Sequence, residues 1–285
     1  MHPKLARVPG AAFFDLDRTL LRRSSALALA GAFHDRGLIS RRQLARAALW
    51  QLLFVARGAD AEAVRRAAED GLVVLKGFRP DDMRQLVADA LEPVLRPLVY
   101  REPLALVERH RRRGEPVYVV SAALQEIVDA IADDLGFDGA LGTVCEVSDG
   151  LYTGRSLRAL HGEAKAEAVR ELARREEIDL SASTAYSDAA ADLRFLEAVG
   201  TPVAVNPDRV LRKIARERRW EVLEFSERAY PAARRPVRIC GPAEGVRGNR
   251  EVRPTNRTRV PSWPAIVGVP LVLGAAAYAY RRRAA

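Results

Sequence analysis

From Leu104 to Arg218, short apolar runs alternate with longer amphipathic ones, and this alternation confines the chain to a small set of folds. Pro116–Ser121, Ser183–Ser187 and Val203–Val205 have the length and texture of buried strands. Helical spacing runs from Ser121 to about Leu135, over Glu163–Glu176, over Ala190–Val199 and over Asp208–Arg218, and a basic helix closes at Gly114. Leu141–Glu146 and Leu151–Gly154, parted by Ser148-Asp149-Gly150, read as a hairpin. Far upstream, Ala11–Phe14 is another apolar run, and it ends at Asp15. Strands alternating with helices predict an α/β fold whose parallel sheet is covered on both faces. No internal period of about 20 to 50 residues recurs, which excludes a solenoid.

Between the first strand and this region the pattern is helical only. Ser24 can cap a helix that Gly37 stops, and Ser40 can cap a second that runs to Gly58. A third is expected over Ala61–Leu75 and a fourth over Asp81–Leu91, with Pro80 near its start and Pro93 after it. Residues 24–99 therefore read as a helical insert in a core built from 1–23 and 100–228.

Composition narrows the class further. With 285 residues, 48% of them hydrophobic and 29% charged, the chain can bury a sizeable core and is not a disordered one. Cys145 and Cys240 lie far apart, with no neighbouring cysteine or histidine to form a zinc site or redox pair, so a disulfide scaffold is excluded and a reducing compartment fits. The net charge of +9 comes almost wholly from arginine, since Lys4, Lys76, Lys165 and Lys213 are the lysines. Runs such as Arg109-His110-Arg111-Arg112-Arg113 form a solvated helix face on one reading and attract anionic partners on the other. No nucleic-acid-binding motif accompanies them, and no nucleic-acid partner is expected. Met1–Gly10 has no apolar segment of the secretory type, so the α/β portion is expected in the cytoplasm.

After Glu227 the texture changes again. Residues 229–261, rich in proline and arginine, read as a linker. The segment 262–280 is a candidate membrane-associated or transmembrane helix: Trp263–Tyr280 is uncharged, it is followed by Arg281-Arg282-Arg283, and aromatic residues stand near both ends. Pro264 and Pro270 count against a regular span, and an apolar helix docked on the domain or a partner is the alternative. On the membrane reading the cytoplasmic domain is attached by its C-terminus to the cytoplasmic membrane.

The chemistry begins at Asp15-Leu16-Asp17-Arg18-Thr19-Leu20, where two carboxylates follow a hydrophobic strand. At the carboxyl edge of a parallel sheet ligands bind, and two anions converging there call for a hard cation, which points to magnesium. Three later segments stand in equivalent positions. Ser121 ends a strand, where its hydroxyl can take a phosphate oxygen. Lys165 opens a helix as a compact ammonium in a chain that otherwise uses arginine. Asp188 and Asp192 follow another strand, either as site carboxylates or as the cap and first-turn acid of a helix.

In order and spacing, Phe13-Phe14-Asp15-Leu16-Asp17-Arg18-Thr19-Leu20, the Ser121 strand, Lys165, Tyr186-Ser187-Asp188 with Asp192-Leu193, and Val203-Ala204-Val205-Asn206-Pro207-Asp208 resemble the haloacid dehalogenase superfamily. The likeness is to its phosphoserine-phosphatase-like branch, subfamily IB, and covers about residues 11–226. It implies a Rossmann-like parallel-sheet core with an inserted all-helical cap of the C1 type. It implies Asp15 as nucleophile, Asp17 as acid and base, and Lys165 as the charge partner of nucleophile and phosphoryl group. Thr19 and Ser121 would bind phosphoryl oxygens. Mg2+ would be held by Asp15, the Asp17 main-chain carbonyl and Asp188, with Asp192 supporting from behind.

The implied activity is that of a magnesium-dependent phosphomonoester phosphatase acting on a small or lipid phosphate. A membrane-tethered scaffold and a phosphotransferase using the same aspartyl phosphate are the alternatives. Ala189 and Ala191 stand where relatives often carry polar residues, and Leu21-Arg22-Arg23-Ser24-Ser25 lacks the acidic residue with which phosphoserine-specific members read the substrate amino group.

Overall fold

A computed structural model describes residues 9–37, 39–40 and 72–230. The first strand, β1 (Ala12–Phe14), is followed by α1 (Ser25–Asp35), which Ser24 caps through its hydroxyl and which ends before Gly37 at φ 73°. A 3-10 turn over Val73–Leu75 leads to α2 (Pro80–Ala90) and then α3 (Glu102–Arg112). The core continues through β2 (Val117–Leu124), α4 (Gln125–Leu135), β3 (Gly139–Ser148), β4 (Leu151–Arg158) and α5 (Glu163–Arg175). It closes with β5 (Thr184–Ser187), the short α6 (Leu193–Leu196), β6 (Thr201–Val205), α7 (Arg209–Arg218) and β7 (Glu221–Leu223).

The strands form a seven-stranded sheet in the order β4-β3-β2-β1-β5-β6-β7, parallel throughout except for the β3–β4 pair. The α/β parallel sheet expected from the alternation is therefore what the chain adopts. β1 lies centrally, and its three residues are completely buried because helices cover both faces. Side chains alternate along it. Ala12 and Phe14 join Val117 and Val119 in one apolar cluster, whereas Phe13 joins Tyr118, Val120 and the α5 residues Ala168, Val169 and Leu172 in the other.

Several boundaries differ from the sequence reading. The strand expected to end at Ser121 continues to Leu124, but its register against β3 shifts between Val120 and Leu124, so Ser121 sits where regular pairing gives way. The hairpin is longer on both arms, because Asp149 and Gly150, both at positive φ, make a two-residue turn that lets the strands pair outward. Ala190–Val199 is not one helix: a 3-10 turn over Ala190–Asp192 precedes α6. The fourth insert helix passes at Leu91–Leu95 into a π-helical turn containing Pro93, a residue that cannot donate within a regular α-helix. His110, within the basic run read as a solvated face, is buried and bonded to Glu115 and Tyr186, while the arginines around it are exposed.

The chain leaves and re-enters the core at adjacent points: Arg22 N donates to Leu98 O at 2.8 Å and Tyr100 N to Leu20 O at 2.9 Å. The expected second helix beyond Ser40, most of the third, the 229–261 linker beyond Tyr230 and the apolar 262–280 segment fall outside the described residues, as does Cys240. Among the described residues no helix is long and apolar enough to cross a membrane.

Candidate active site

β1 places the first carboxylate. Asp15 continues the parity of Phe13, toward the face covered by α5, and its amide donates to Tyr186 O at 2.9 Å, continuing the pairing with β5. On that face α5 begins at Glu163, so Lys165 lies in its first turn, with buried Ala166 and Ala168 against the core. Lys165 Nζ donates to Asp15 Oδ1 at 2.6 Å and to Asp192 Oδ2 at 2.7 Å, and it lies 4.8 Å from the centroid of the Phe195 ring. Asp192 also accepts from Ser187 Oγ at 2.7 Å. The structure thus gathers Asp15, Lys165 and Asp192 from three elements into one network, buried at Asp15 and Lys165 and partly buried at Asp192.

Beyond Asp15 the chain turns. Leu20 N and Leu21 N both reach back to Leu16 O at 2.9 Å, and Arg18 takes a left-handed backbone at φ 67°. The turn brings Asp17 to the N-terminus of α1, where its Oδ1 accepts the Ser25 amide at 2.7 Å while Oδ2 is buried without a partner. Thr19 Oγ1 is likewise buried and unpartnered. Ser121 is buried where β2 loses register, its Oγ accepting from Ala123 N at 3.1 Å.

Asp188 follows β5. It does not cap a helix: its carboxylate meets Arg18, Nε to Oδ2 3.3 Å, and its carbonyl accepts the Asp208 amide at 2.8 Å. Asp208 caps α7 through Val210 N and Leu211 N, both at 2.8 Å, and its second oxygen takes Ala190 N at 3.1 Å, which ties down the loop carrying Asp188.

The electrostatics follow from burial. Burial raises the Asp15 carboxyl to about 6, against the pull of Lys165 and with help from Asp192. Burial likewise raises Asp17 to about 7, opposed by hydrogen bonding from Ser25 and reinforced by Asp15. Asp188 is pushed well above the carboxylate range by burial and then by Asp15, with Arg18 opposing. Burial works against the Lys165 charge, but Asp15 and Asp192 outweigh it and hold the ammonium above its ordinary range.

The carboxyls of Asp15, Asp17, Asp188 and Asp192 gather around two cations, Lys165 and Arg18, a surplus of negative charge that suits a hard divalent cation. By the family resemblance, the Asp15 and Asp188 carboxylates with the Asp17 carbonyl would hold one. Among the described residues no three histidine, cysteine, aspartate or glutamate side chains close a metal site by themselves. A ligand set of two carboxylates and a carbonyl leaves the remaining positions to water, as magnesium prefers.

Sequence alone assigns no site role to Ser25, Ser187 or Asp208 and no pairing to Arg18, although Ser187 and Asp208 stand within the family motifs. Ser187 was within reach, lying beside Asp188 in the motif, whereas the Ser25 amide is a backbone group that no residue type announces.

Similarity to known proteins gives the family. The profile of the haloacid dehalogenase-like hydrolases matches residues 12–197. A probable phosphatase of Mycobacterium tuberculosis is 39% identical, over 97% of this chain and 91% of its own length. A phosphoserine phosphatase of the same organism is 38% identical, over 82% and 75%. A crystal structure of a Bordetella pertussis protein of unknown function superposes with a TM-score of 0.66 at 30% identity, covering 76% of this chain and 98% of the other. The chain belongs to the haloacid dehalogenase-like hydrolases, and within them to the phosphatases that resemble phosphoserine phosphatase.

Proposed function

We propose that the protein hydrolyses phosphomonoesters with Mg2+ through an aspartyl phosphate on Asp15. The observation that carries this reading is the unequal treatment of two neighbouring carboxyls. Asp15 is held by Lys165 at 2.6 Å, which favours its ionised, nucleophilic form, whereas Asp17 has no cation on it and keeps its proton more readily. Asp15 attacks phosphorus while Asp17 passes its proton to the departing alcohol oxygen. Asp17, now a base, takes a proton from the water that cleaves the acyl phosphate, releasing inorganic phosphate and restoring Asp15.

Lys165 stays charged throughout and offsets the negative charge shared by nucleophile and phosphoryl group. The unpartnered Thr19 hydroxyl and that of Ser121 take phosphoryl oxygens. Asp192 positions Lys165, supported by Ser187. Mg2+, held by Asp15, the Asp17 carbonyl and Asp188, would neutralise phosphoryl oxygens and make phosphorus more electrophilic.

The substrate class is a phosphorylated small molecule. Where an acidic residue would read a substrate ammonium, Ser24 caps α1 and Arg22 engages the Ser226 carbonyl, so phosphoserine is not the preferred member. Attachment of the cytoplasmic enzyme to the membrane through residues 262–280 would add lipid phosphates to the candidates. Flotation with vesicles of the full chain against one ending at Glu227 tests that part, and equal behaviour removes it. The site itself is tested with beryllium fluoride, a phosphoryl mimic that adds to a carboxylate. A bound fluorine NMR signal that needs Mg2+ and disappears in Asp15→Asn supports the reading, and its absence from the wild-type chain with Mg2+ counts against it.

A further inference from the structure

Arg18 stands in a conformation that residues with side chains seldom adopt, φ 67°, and that glycine would take without strain. The strained backbone delivers its guanidinium to Asp188, Nε to Oδ2 3.3 Å, with the arginine side chain 48% exposed and the aspartate 6%. Asp188 is one of the two carboxylates that would hold the metal. Lys165 leaves it uncovered, because that ammonium is spent on Asp15 and Asp192. Of the carboxylates near Asp188, Asp15 and Asp192 share Lys165, and Asp208 is committed to the α7 amides and Ala190 N, so it offers Arg18 no second seat. The Arg18 contact is one nitrogen on one oxygen rather than a bidentate fork, and half the side chain stands in water, which makes it easy to displace.

We infer that Arg18 is an exchangeable cation of the site: it covers Asp188 when no metal is bound, yields that carboxylate to Mg2+, and then presents its guanidinium to a second anionic group on the substrate. The inference rests on the metal and phosphatase reading above. A divalent cation and a guanidinium on the same carboxylate repel each other, so binding of one expels the other. The released side chain is anchored at the site mouth by its own backbone, and its planar donors match a carboxylate or a further phosphate. The substrates so favoured are phosphomonoesters carrying a second acidic group near the ester.

The test begins with calorimetric titration of Mg2+ into the full chain. Arg18→Gln is expected to bind Mg2+ about three- to tenfold more tightly than wild type, since a competing charge is gone, and Arg18→Lys to stay close to wild type. Equal or weaker binding by Arg18→Gln overturns the exchange. Asp188→Asn should lose most of the binding in either background. If the wild-type chain does not bind Mg2+ at all, the metal reading fails, and this inference with it.

Kinetics read the other half. Arg18→Gln should lower kcat/KM for carboxyphenyl phosphate at least tenfold more than for phenyl phosphate, and an equal effect on both esters overturns the substrate role.

Discussion

Lys165 and Asp15, 150 positions apart in sequence, form a buried ion pair 2.6 Å long at the junction of β1 and the first turn of α5. The pair is tripartite, because the same ammonium holds Asp192 at 2.7 Å. Fold and chemistry meet in it: the sheet parity that buries Phe13 aims Asp15 at α5, and the charge that results is what a phosphoryl group would encounter.

Replacing Lys165 by methionine keeps the packing against Phe195 but leaves the buried Asp15 and the partly buried Asp192 without their cation. Breaking a buried pair in this way costs about 3–5 kcal/mol. Urea unfolding of the metal-free variant at pH 8 should show that loss, and a smaller one at pH 5, where the Asp15 carboxyl, raised to about 6 by burial, takes up a proton. An equal loss at both pH values would mean that packing rather than charge is responsible.

The Asp17 carboxyl, at about 7 in the fold against 3.8 unfolded, favours folding below pH 4, and that contribution is lost as pH rises through 7. Asp17→Asn carries no such charge and its amide oxygen can keep the Ser25 amide bond. Without divalent metal, Asp17→Asn should therefore gain on wild type between pH 5 and pH 8, by roughly 2–4 kcal/mol. His110, which titrates in the opposite sense, is common to both proteins and cancels. Mg2+ should shrink the difference by binding the ionised wild-type site. Chemical denaturation across that pH range, with and without Mg2+, measures both effects.

In its proposed role as general acid, Asp17 would matter in proportion to the basicity of the leaving alcohol. Asp17→Asn should lower turnover of an alkyl phosphate by about 10²–10⁴-fold. It should lower formation of the aspartyl phosphate from 4-nitrophenyl phosphate, whose leaving group needs little help, considerably less. Pre-steady-state nitrophenolate release separates that step from hydrolysis of the intermediate.

Away from the site, the loop before β6 passes so close to the turn ahead of β5 that a Cβ on Gly200 would lie 1.8 Å from Ser181 O. Gly200→Ala must move backbone, at a cost of about 1–3 kcal/mol. Thermal unfolding reads it, and an unchanged melting temperature would show that the two loops are free to separate.

Much of this was legible because local pattern and tertiary role coincide. A short apolar run ending at Asp15 becomes the central strand, since both of its faces need burial. Asp15, Lys165 and Asp192 could be assembled from sequence because each closes a strand or opens a helix at the same sheet edge. What could not be read depends on pairing with distant partners. β7 is three residues whose pairing with β6 alone makes them a strand. The second arm of the β3–β4 hairpin was underestimated because Arg155, Ser156 and Arg158 look like loop residues, yet Ser156 and Arg158 pair with Cys145 and Val144, and Arg155 bonds to Glu146 across the strands. The role of Arg18 was hidden for a different reason: only the left-handed turn shows that its guanidinium comes back onto Asp188.

The most direct test of the central claim is phosphate release from 4-nitrophenyl phosphate by the full chain, with Mg2+ or chelator, beside Asp15→Asn. The account predicts release that needs Mg2+ and falls by at least about 10³-fold in the variant. Release that survives Asp15→Asn, or that proceeds equally in chelator, would contradict it.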